Sequence, residues 1–455
     1  MANIAVVGLG KLGYPLAAFW MSRGHQVFGV DTHPDILAAI QNIKNWEPGV
    51  EELENFSVLN DGKLTLTDAV TAVSQSEFTF IVVPTPTETL TGRFSMEYVL
   101  KAAEDIGKGL ARCQRFHVVV LVSTVMPGDT EALLIPALEK HSGKKCGQDF
   151  GVCYNPEFVA LGEVVKGMTK PDFTLIGASD AKAGVRLMEM MHYAGSDHPK
   201  HITNIIDAEI AKLSLNCYVT MKISFANQLA EICEATPGAN SDVIASAIGC
   251  DTRIGHRYLK AGMGFGGPCF PRDNRAFQVF AQQHGQQAIL SKAVEVINDR
   301  QTPRIAALVA QKYRQHSLAG ACQTYVAVLG LSYKPGTPIL EESQSILLVD
   351  WLVQSGIPCR IHDPLVKAED LSERLAKWNW VEKLVEYDGY LEQVVRGASV
   401  VVLMLPLRAY DTEGLKPEWF GQTRKPFVDC WRFRPDLAVV TDYIGIGIGK
   451  RENHA

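Results

Sequence analysis

The residues VVGLGKLG, Val6 to Gly13, set three glycines at the spacing Gly8-x-Gly10-x-x-Gly13. The β-branched run NIAVV precedes them, and YPLAAFWMSRG, which reads as a helix, follows. Few architectures accept a strand that passes into a helix over such a triplet. Gly8 allows the tight turn, Gly10 lets the backbone approach a pyrophosphate, and Gly13 lets helix and strand pack closely, with the helix N-terminus facing the phosphates. The second predicted strand, QVFGV, leads directly into Asp31. A carboxylate there accepts hydrogen bonds from a ribose 2′-hydroxyl and repels a 2′-phosphate, so the cofactor expected is NAD rather than NADP.

The strand and helix alternation continues. NIAVVG, QVFGV, FTFIVV, HVVVLV and FTLIG read as buried strands separated by helices, which implies crossover units and a parallel sheet. The texture then changes. Residues 207–234 contain no Pro or Gly and carry Ala, Leu and Ile at three- and four-residue spacings, the pattern of one long helix suited to bridging domains or pairing subunits. A second helical region runs from Gln286 to about His316, with Pro303 either starting a new helix or kinking this one. Alternation returns with YVAVLG, PCRIH, SVVVLML and PFVDC, a second α/β unit from about Ala321 to Tyr443. The glycine-rich and then polar tail IGIGIGKRENHA reads as a mobile end.

The whole-chain totals exclude several classes. At 455 residues with a net charge of −6, the chain lacks the basic balance that nucleic-acid binding needs. The apolar N-terminus has no positive segment ahead of it, and runs such as HVVVLV are too short to span a bilayer. Ten cysteines are scattered without Cys-x-x-Cys pairs or zinc-type spacing, which fits a reducing cytoplasm and argues against a metal.

Candidate reacting groups lie in loops and on the long helix. VPTPT and STVMPGD follow predicted strand ends, where ligand crevices form, which makes Thr85 and Thr124 candidates for cofactor or substrate contact or, equally, for helix capping. Lys212 and Asn216 are four apart on the long helix and present a charge and an amide donor to a developing oxyanion. Glu157, in YNPEF, is a candidate base for water. In GFGGPCFPRD, Cys269 and Asp273 sit behind Gly264, Gly266 and Gly267, whose missing side chains leave room for a ligand. By its own chemistry Cys269 is either a small packed hydrophobe or a nucleophile.

Over nearly its whole length the chain resembles the UDP-glucose/GDP-mannose dehydrogenase family of nucleotide-sugar 6-dehydrogenases. GLGKLG, EPGVEEL, VPTPT, STVMPG, NPEF, AEIAKLSLN, KISFANQ, DTRIGHRYLKAGMGFGGPCFPRD, GLSYKPGT and HDP carry the resemblance. EPGVEEL, residues 47–53, leans toward the UDP-glucose branch. The resemblance implies two Rossmann-like doubly wound α/β domains joined by a long central helix and a helical dimerisation region. The boundaries expected are 1–198 for NAD binding, 199–300 for the central region with the cysteine loop, and 301–455 for the nucleotide-sugar domain. It implies a homodimer or higher homo-oligomer and a four-electron oxidation of a sugar CH₂OH to a carboxylate with NAD.

In that reading Cys269 captures an aldehyde as a thiohemiacetal and then holds a thioester. Lys212 and Asn216 stabilise oxyanions, Asp273 handles protons with a water, Glu157 assists thioester hydrolysis, and Thr124 positions water and substrate. Gly8, Gly10, Leu12, Gly13, Asp31, Thr85, Thr124 and Arg272 match cofactor contacts. Glu157, Phe158, Lys212, Asn216, Tyr258, Gly266 and Lys334 match substrate contacts, and Arg253 matches one that reaches a substrate across the subunit interface. Four positions depart from the family pattern: Glu341 replaces a cofactor-contacting arginine, Ile36 a lysine, Leu161 a polar residue, and Trp431 a substrate-binding arginine. UDP-glucose is the substrate expected. The alternatives are a UDP-N-acetylhexosamine, GDP-mannose, or a catalytically silent homologue that only binds nucleotide sugar.

Overall fold

The computed structural model describes residues 1–41, 64–158, 164–193, 198–317, 325–379, 384–422 and 424–450. Leu161, the 47–53 stretch and the last five residues of the tail lie outside them. The chain divides into two compact units, Met1–Leu215 with Val279–Gly285, and Asn216–Gln278 with Gln286–Ala455.

In the first unit eight strands form one sheet. They are β1 (Asn3–Val7), β2 (Gln26–Val30), β3 (Leu64–Leu66), β4 (Phe78–Ile81), β5 (His117–Leu121), β6 (Phe150–Tyr154), β7 (Thr174–Ala178) and β8 (Lys200–Thr203), in the order β3-β2-β1-β4-β5-β6-β7-β8. All five strands expected from the sequence form. β3, β6 and β8 are additional, and β6 pairs antiparallel with β7 where a wholly parallel sheet was expected.

The continuous apolar strands bury both faces, as parallel strands covered by helices do. Along β1, Ile4 and Val6 join Leu16, Phe19 and Trp20 of the helix Gly13–Ser22, while Ala5 and Val7 join Val99, Ile106 and Leu110 of the helix Glu97–Arg112. The order reverses between β1 and β4, and open α/β sheets bind ligands outside the carboxyl ends of strands at such a point.

The second unit has a six-stranded, wholly parallel sheet. It comprises β9 (Val326–Leu329), β10 (Cys359–His362), β11 (Val385–Tyr387), β12 (Val400–Leu403), β13 (Pro426–Asp429) and β14 (Asp442–Gly445), in the order β11-β10-β9-β12-β13-β14. This repeats the doubly wound order of the first unit, with β11 and β14 beyond the four strands expected. Val326 and Val328 pack with Ile305 and Val309, and Ala327 and Leu329 with Val394 and Val395.

The turns repeat too. Gly8 has φ +93° after β1, and Asp31 accepts from Leu9 N at 2.7 Å. Gly330 has φ +92° after β9, and Asp363 accepts from Leu331 N at 2.7 Å.

The long helix extends over Ile205–Glu234, and a second, Ile289–Ser317, runs on through Pro303 without ending. The tail through Lys450 is built into the second unit. β14 pairs with β13, Gly447 N donates to Glu234, and Gly449 N donates to the Ala239 carbonyl. Its glycines serve close packing rather than mobility, since a side chain at Gly449 would meet the Thr236 carbonyl at 1.9 Å. Among the described residues no helix is long and apolar enough to cross a membrane.

Candidate active site

The first unit carries the glycine triplet, and each glycine has a distinct geometric reason. Gly8 adopts a left-handed backbone, and a Cβ there would meet the Val82 carbonyl oxygen at 2.5 Å. A Cβ on Gly13 would fall 1.8 Å from the Gly8 carbonyl oxygen, whereas nothing lies within 4 Å of one on Gly10. Gly8 and Gly13 therefore serve the turn and its packing, and Gly10 leaves open space where a pyrophosphate approaches. Leu12 precedes the helix Gly13–Ser22 as its N-cap. Asp31 uses one carboxylate oxygen on Leu9 N and the other on His33 N, at 2.8 Å, which ties the glycine turn to the end of β2. Each oxygen keeps a further lone pair for a ribose hydroxyl. This donor and acceptor set fits a dinucleotide. Ile36, on the next helix, packs against the core of this unit.

The loops after β4 and β5 are joined, because Thr85 Oγ1 donates to the Thr124 carbonyl at 2.6 Å and Ser123 Oγ to the Val83 carbonyl at 2.6 Å. Neither threonine caps a helix: the next caps along the chain are Met96 and Asp129. After β6, Lys212 Nζ donates to the Glu157 carbonyl at 2.8 Å and lies 5.0 Å from the centre of the Phe158 ring. Burial pushes the Glu157 carboxyl up to about 7, against the pull of the Lys212 ammonium, although the residue as a whole keeps some exposed surface. That value puts a general base near neutral pH, where such a group is most effective.

The second unit carries the thiol. Cys269 is exposed and stands immediately ahead of the helix Phe270–Gln283, whose N-terminus favours an anion. One turn on, Asp273 is fully buried. Its Oδ2 accepts from Asn216 Nδ2 at 2.6 Å and its Oδ1 from Arg272 Nε at 3.2 Å. The expectation of ligand room at the three loop glycines is corrected. A Cβ on Gly264 would meet Asn298 Oδ1 at 2.6 Å, one on Gly266 the Glu342 carbonyl at 2.2 Å, and one on Gly267 the Tyr333 ring at 2.4 Å. These glycines let other protein segments close against the loop, and Gly267 N adds a bond to the Glu341 carbonyl.

The remaining expected contacts are spread over this unit. Tyr258 is half exposed with φ 65°, and its ring centroid lies 6.5 Å from that of Phe270. Lys334 Nζ lies 5.9 Å from the centre of the Tyr333 ring. Arg253 is exposed and grips Asp251 on the same turn, with Nη2 2.6 Å from Oδ2. Trp431 packs its ring on Gly262 and donates Nε1 to the Met404 carbonyl at 2.7 Å. Lys212 and Asn216, one turn apart on the long helix, bond to different partners, Glu157 and Asp273.

Sequence reasoning passed over Glu209 and Tyr333. Glu209 was detectable as an acid in phase with the apolar positions Ile205, Ala208 and Leu213 of its helix, all buried. Tyr333 lies within GLSYKPGT, but nothing local marks its ring as the one that closes on Gly267. Among the described residues no group of three or more His, Cys, Asp or Glu side chains is arranged to hold a metal ion.

Comparison with known proteins adds identity to this geometry. Residues 2–194 match the NAD binding domain of the UDP-glucose/GDP-mannose dehydrogenase family, residues 206–300 its central domain and residues 327–434 its UDP binding domain. A UDP-glucose 6-dehydrogenase of Haloferax volcanii is 34% identical over 391 residues, covering 84% of this chain and 88% of that protein. A GDP-mannose 6-dehydrogenase of Pseudomonas putida is 31% identical over 411 residues, 88% of this chain and 90% of that protein. The solved structure of a UDP-glucose dehydrogenase from Pyrobaculum islandicum is similar with a TM-score of 0.85 at 32% identity, covering 99% of this chain and 98% of that one.

Proposed function

Because this chain belongs to the UDP-glucose/GDP-mannose dehydrogenase family, we propose that it oxidises the C6 hydroxymethyl of UDP-glucose to the carboxylate of UDP-glucuronate. The observation that carries this reading is the exposed Cys269 at a helix N-terminus, one turn ahead of a buried Asp273 held by Asn216 and Arg272. A two-electron dehydrogenase needs no nucleophile, whereas a four-electron one gains from holding its aldehyde covalently.

NAD⁺ would supply the hydride acceptor, one molecule for each of the two oxidations. Cys269 Sγ adds to the aldehyde carbon to give a thiohemiacetal, and after the second oxidation the same sulfur is held in a thioester. Water cleaves the C–S bond and returns the thiolate. Lys212 and Asn216 stabilise the oxyanions, Asp273 moves the alcohol proton through a water, Thr124 positions water and substrate, and Glu157 takes a proton from the attacking water. Gly8, Gly10, Leu12, Gly13, Asp31, Thr85 and Arg272 hold the cofactor. Phe158, Tyr258, Gly266 and Lys334 hold the substrate, with Arg253 serving the other protomer of a homodimer. We assign 1–198, 199–300 and 301–455 as the NAD, central and UDP-sugar regions, and the cytoplasm as the compartment.

GDP-mannose is the second reading, supported by the Pseudomonas putida relative. Purified protein with NAD⁺ and a panel of UDP-glucose, GDP-mannose and UDP-N-acetylhexosamines tests the choice. UDP-glucose is expected to be turned over with the highest kcat/KM. Preference for another sugar overturns the substrate assignment, and no turnover of any sugar supports a silent binding homologue.

A further inference from the structure

Glu209 lies at the start of the long helix, wholly buried, three residues before Lys212. Its two carboxylate oxygens reach a different part of the first unit. Oε2 accepts from Gly128 N at 2.6 Å and Oε1 from Thr130 N at 3.2 Å. Both amides belong to the stretch after β5 that begins with Thr124 and turns into a helix at Thr130. Amides at a helix start have no partner within the helix, so a carboxylate satisfies them well. Gly128 has φ +96°, a left-handed backbone that favours glycine at the position whose amide meets Glu209.

The charge is costly where it stands. Burial pushes the Glu209 carboxyl up to about 7 against the pull of its hydrogen bonds from Thr130 and Gly128, and the charge of Asp129 adds to the rise. Asp129 is itself held by Arg93 Nη2 at 2.7 Å, and Arg93 Nη1 also bonds Gln283 at 2.8 Å. Core packing does not require a buried carboxylate with an acid for a neighbour. An apolar side chain of the same size avoids the desolvation.

We propose that Glu209 is a positioning residue that latches the Thr124 loop to the helix carrying Lys212. The loop is then fixed at two points: Thr85 holds the Thr124 carbonyl, and Glu209 holds the far end at Gly128 and Thr130. One turn of helix thus registers the loop after β5, through Glu209, and the loop after β6, through Lys212 and the Glu157 carbonyl. This inference rests on the catalytic roles proposed for Thr124, Lys212 and Glu157.

Glu209→Gln is the discriminating change. It keeps the volume but replaces one acceptor oxygen with an NH₂ that faces an amide N–H, so one of the two bonds is lost. Amide hydrogen exchange at Gly128 and Thr130 is expected to accelerate while β5 stays protected. With UDP-glucose and NAD⁺, kcat is expected to fall by about 10²-fold with KM within about twofold, the pattern of misplaced reacting groups rather than lost binding.

Unchanged exchange at Gly128 and Thr130 refutes the latch. Faster exchange with wild-type kcat refutes its catalytic role. Should the wild-type protein oxidise no nucleotide sugar, the proposed function fails, and the exchange measurement still decides the latch. If Glu209→Gln does not fold, Glu209→Asp, which retains the charge but draws the oxygens back by one methylene, is read by the same two measurements.

Discussion

At the scale of single residues, two glycines of one motif make opposite demands. Gly13 is required by the fold, because a Cβ there overlaps the Gly8 carbonyl, while the space beside Gly10 is open. Gly13→Ala is expected to destabilise the protein by about 1–3 kcal/mol or more through overpacking. Gly10→Ala is expected to leave the thermal midpoint in place and weaken NAD⁺ binding by about tenfold or more. Thermal unfolding with a cofactor titration checks both, and equal behaviour of the two variants contradicts the assignment.

Glu157 makes a pH prediction. Its carboxyl is raised to about 7, so it is protonated below that pH and a base above it. If thioester hydrolysis limits turnover, kcat climbs as pH rises through about 7 and then levels. Glu157→Gln removes the climb and lowers kcat by about 10²-fold. An unchanged profile in that variant removes Glu157 from the mechanism. The sign for stability is the reverse: a raised carboxyl favours the folded state most below its ordinary value near 4.5, and that contribution is gone above about 7.

At the scale of elements, the long helix does two kinds of work. Its buried face carries Glu209 and Asn216, with Lys212 beside them, while Tyr218, Phe225 and Ile232, seven apart, are 60%, 49% and 59% exposed. An exposed apolar stripe at that spacing on one helix is the mark of an interface and supports the proposed homodimer. Phe225→Glu is expected to move the sedimentation profile toward monomer, and an undisturbed dimer places the interface elsewhere.

The elements also show what the sequence makes legible. Strands such as HVVVL and VVVL, buried on both faces, announce themselves as unbroken apolar runs. LTL and VEY, β3 and β11, are three residues long, too short to carry a period, and FGVCY of β6 has its run broken by Gly151. The antiparallel pairing of β6 with β7 depends on how the chain returns, which no local pattern records.

At the scale of the whole molecule, the glycine fingerprint and the two α/β units flanking a long helix were readable from the chain's own pattern, and the resemblance added their doubly wound order. What fills the space beside the cysteine loop was not readable. The atoms that close on Gly264, Gly266 and Gly267 come from Asn298, Glu342 and Tyr333, far along the chain, and the loop's own residues hold no trace of them. Glu209 stands out as an acid among apolar positions, but its role was hidden for the same reason, since its partners lie about eighty residues earlier. Glu341, the acid at the departure noted in the sequence, is exposed and lends its carbonyl to Gly267.

The covalent four-electron oxidation is the centre of the account, and the NADH formed per UDP-glucose consumed tests it most directly. With limiting UDP-glucose and excess NAD⁺, two NADH per sugar are expected, with UDP-glucuronate as the product. One NADH per sugar with free aldehyde released contradicts the account.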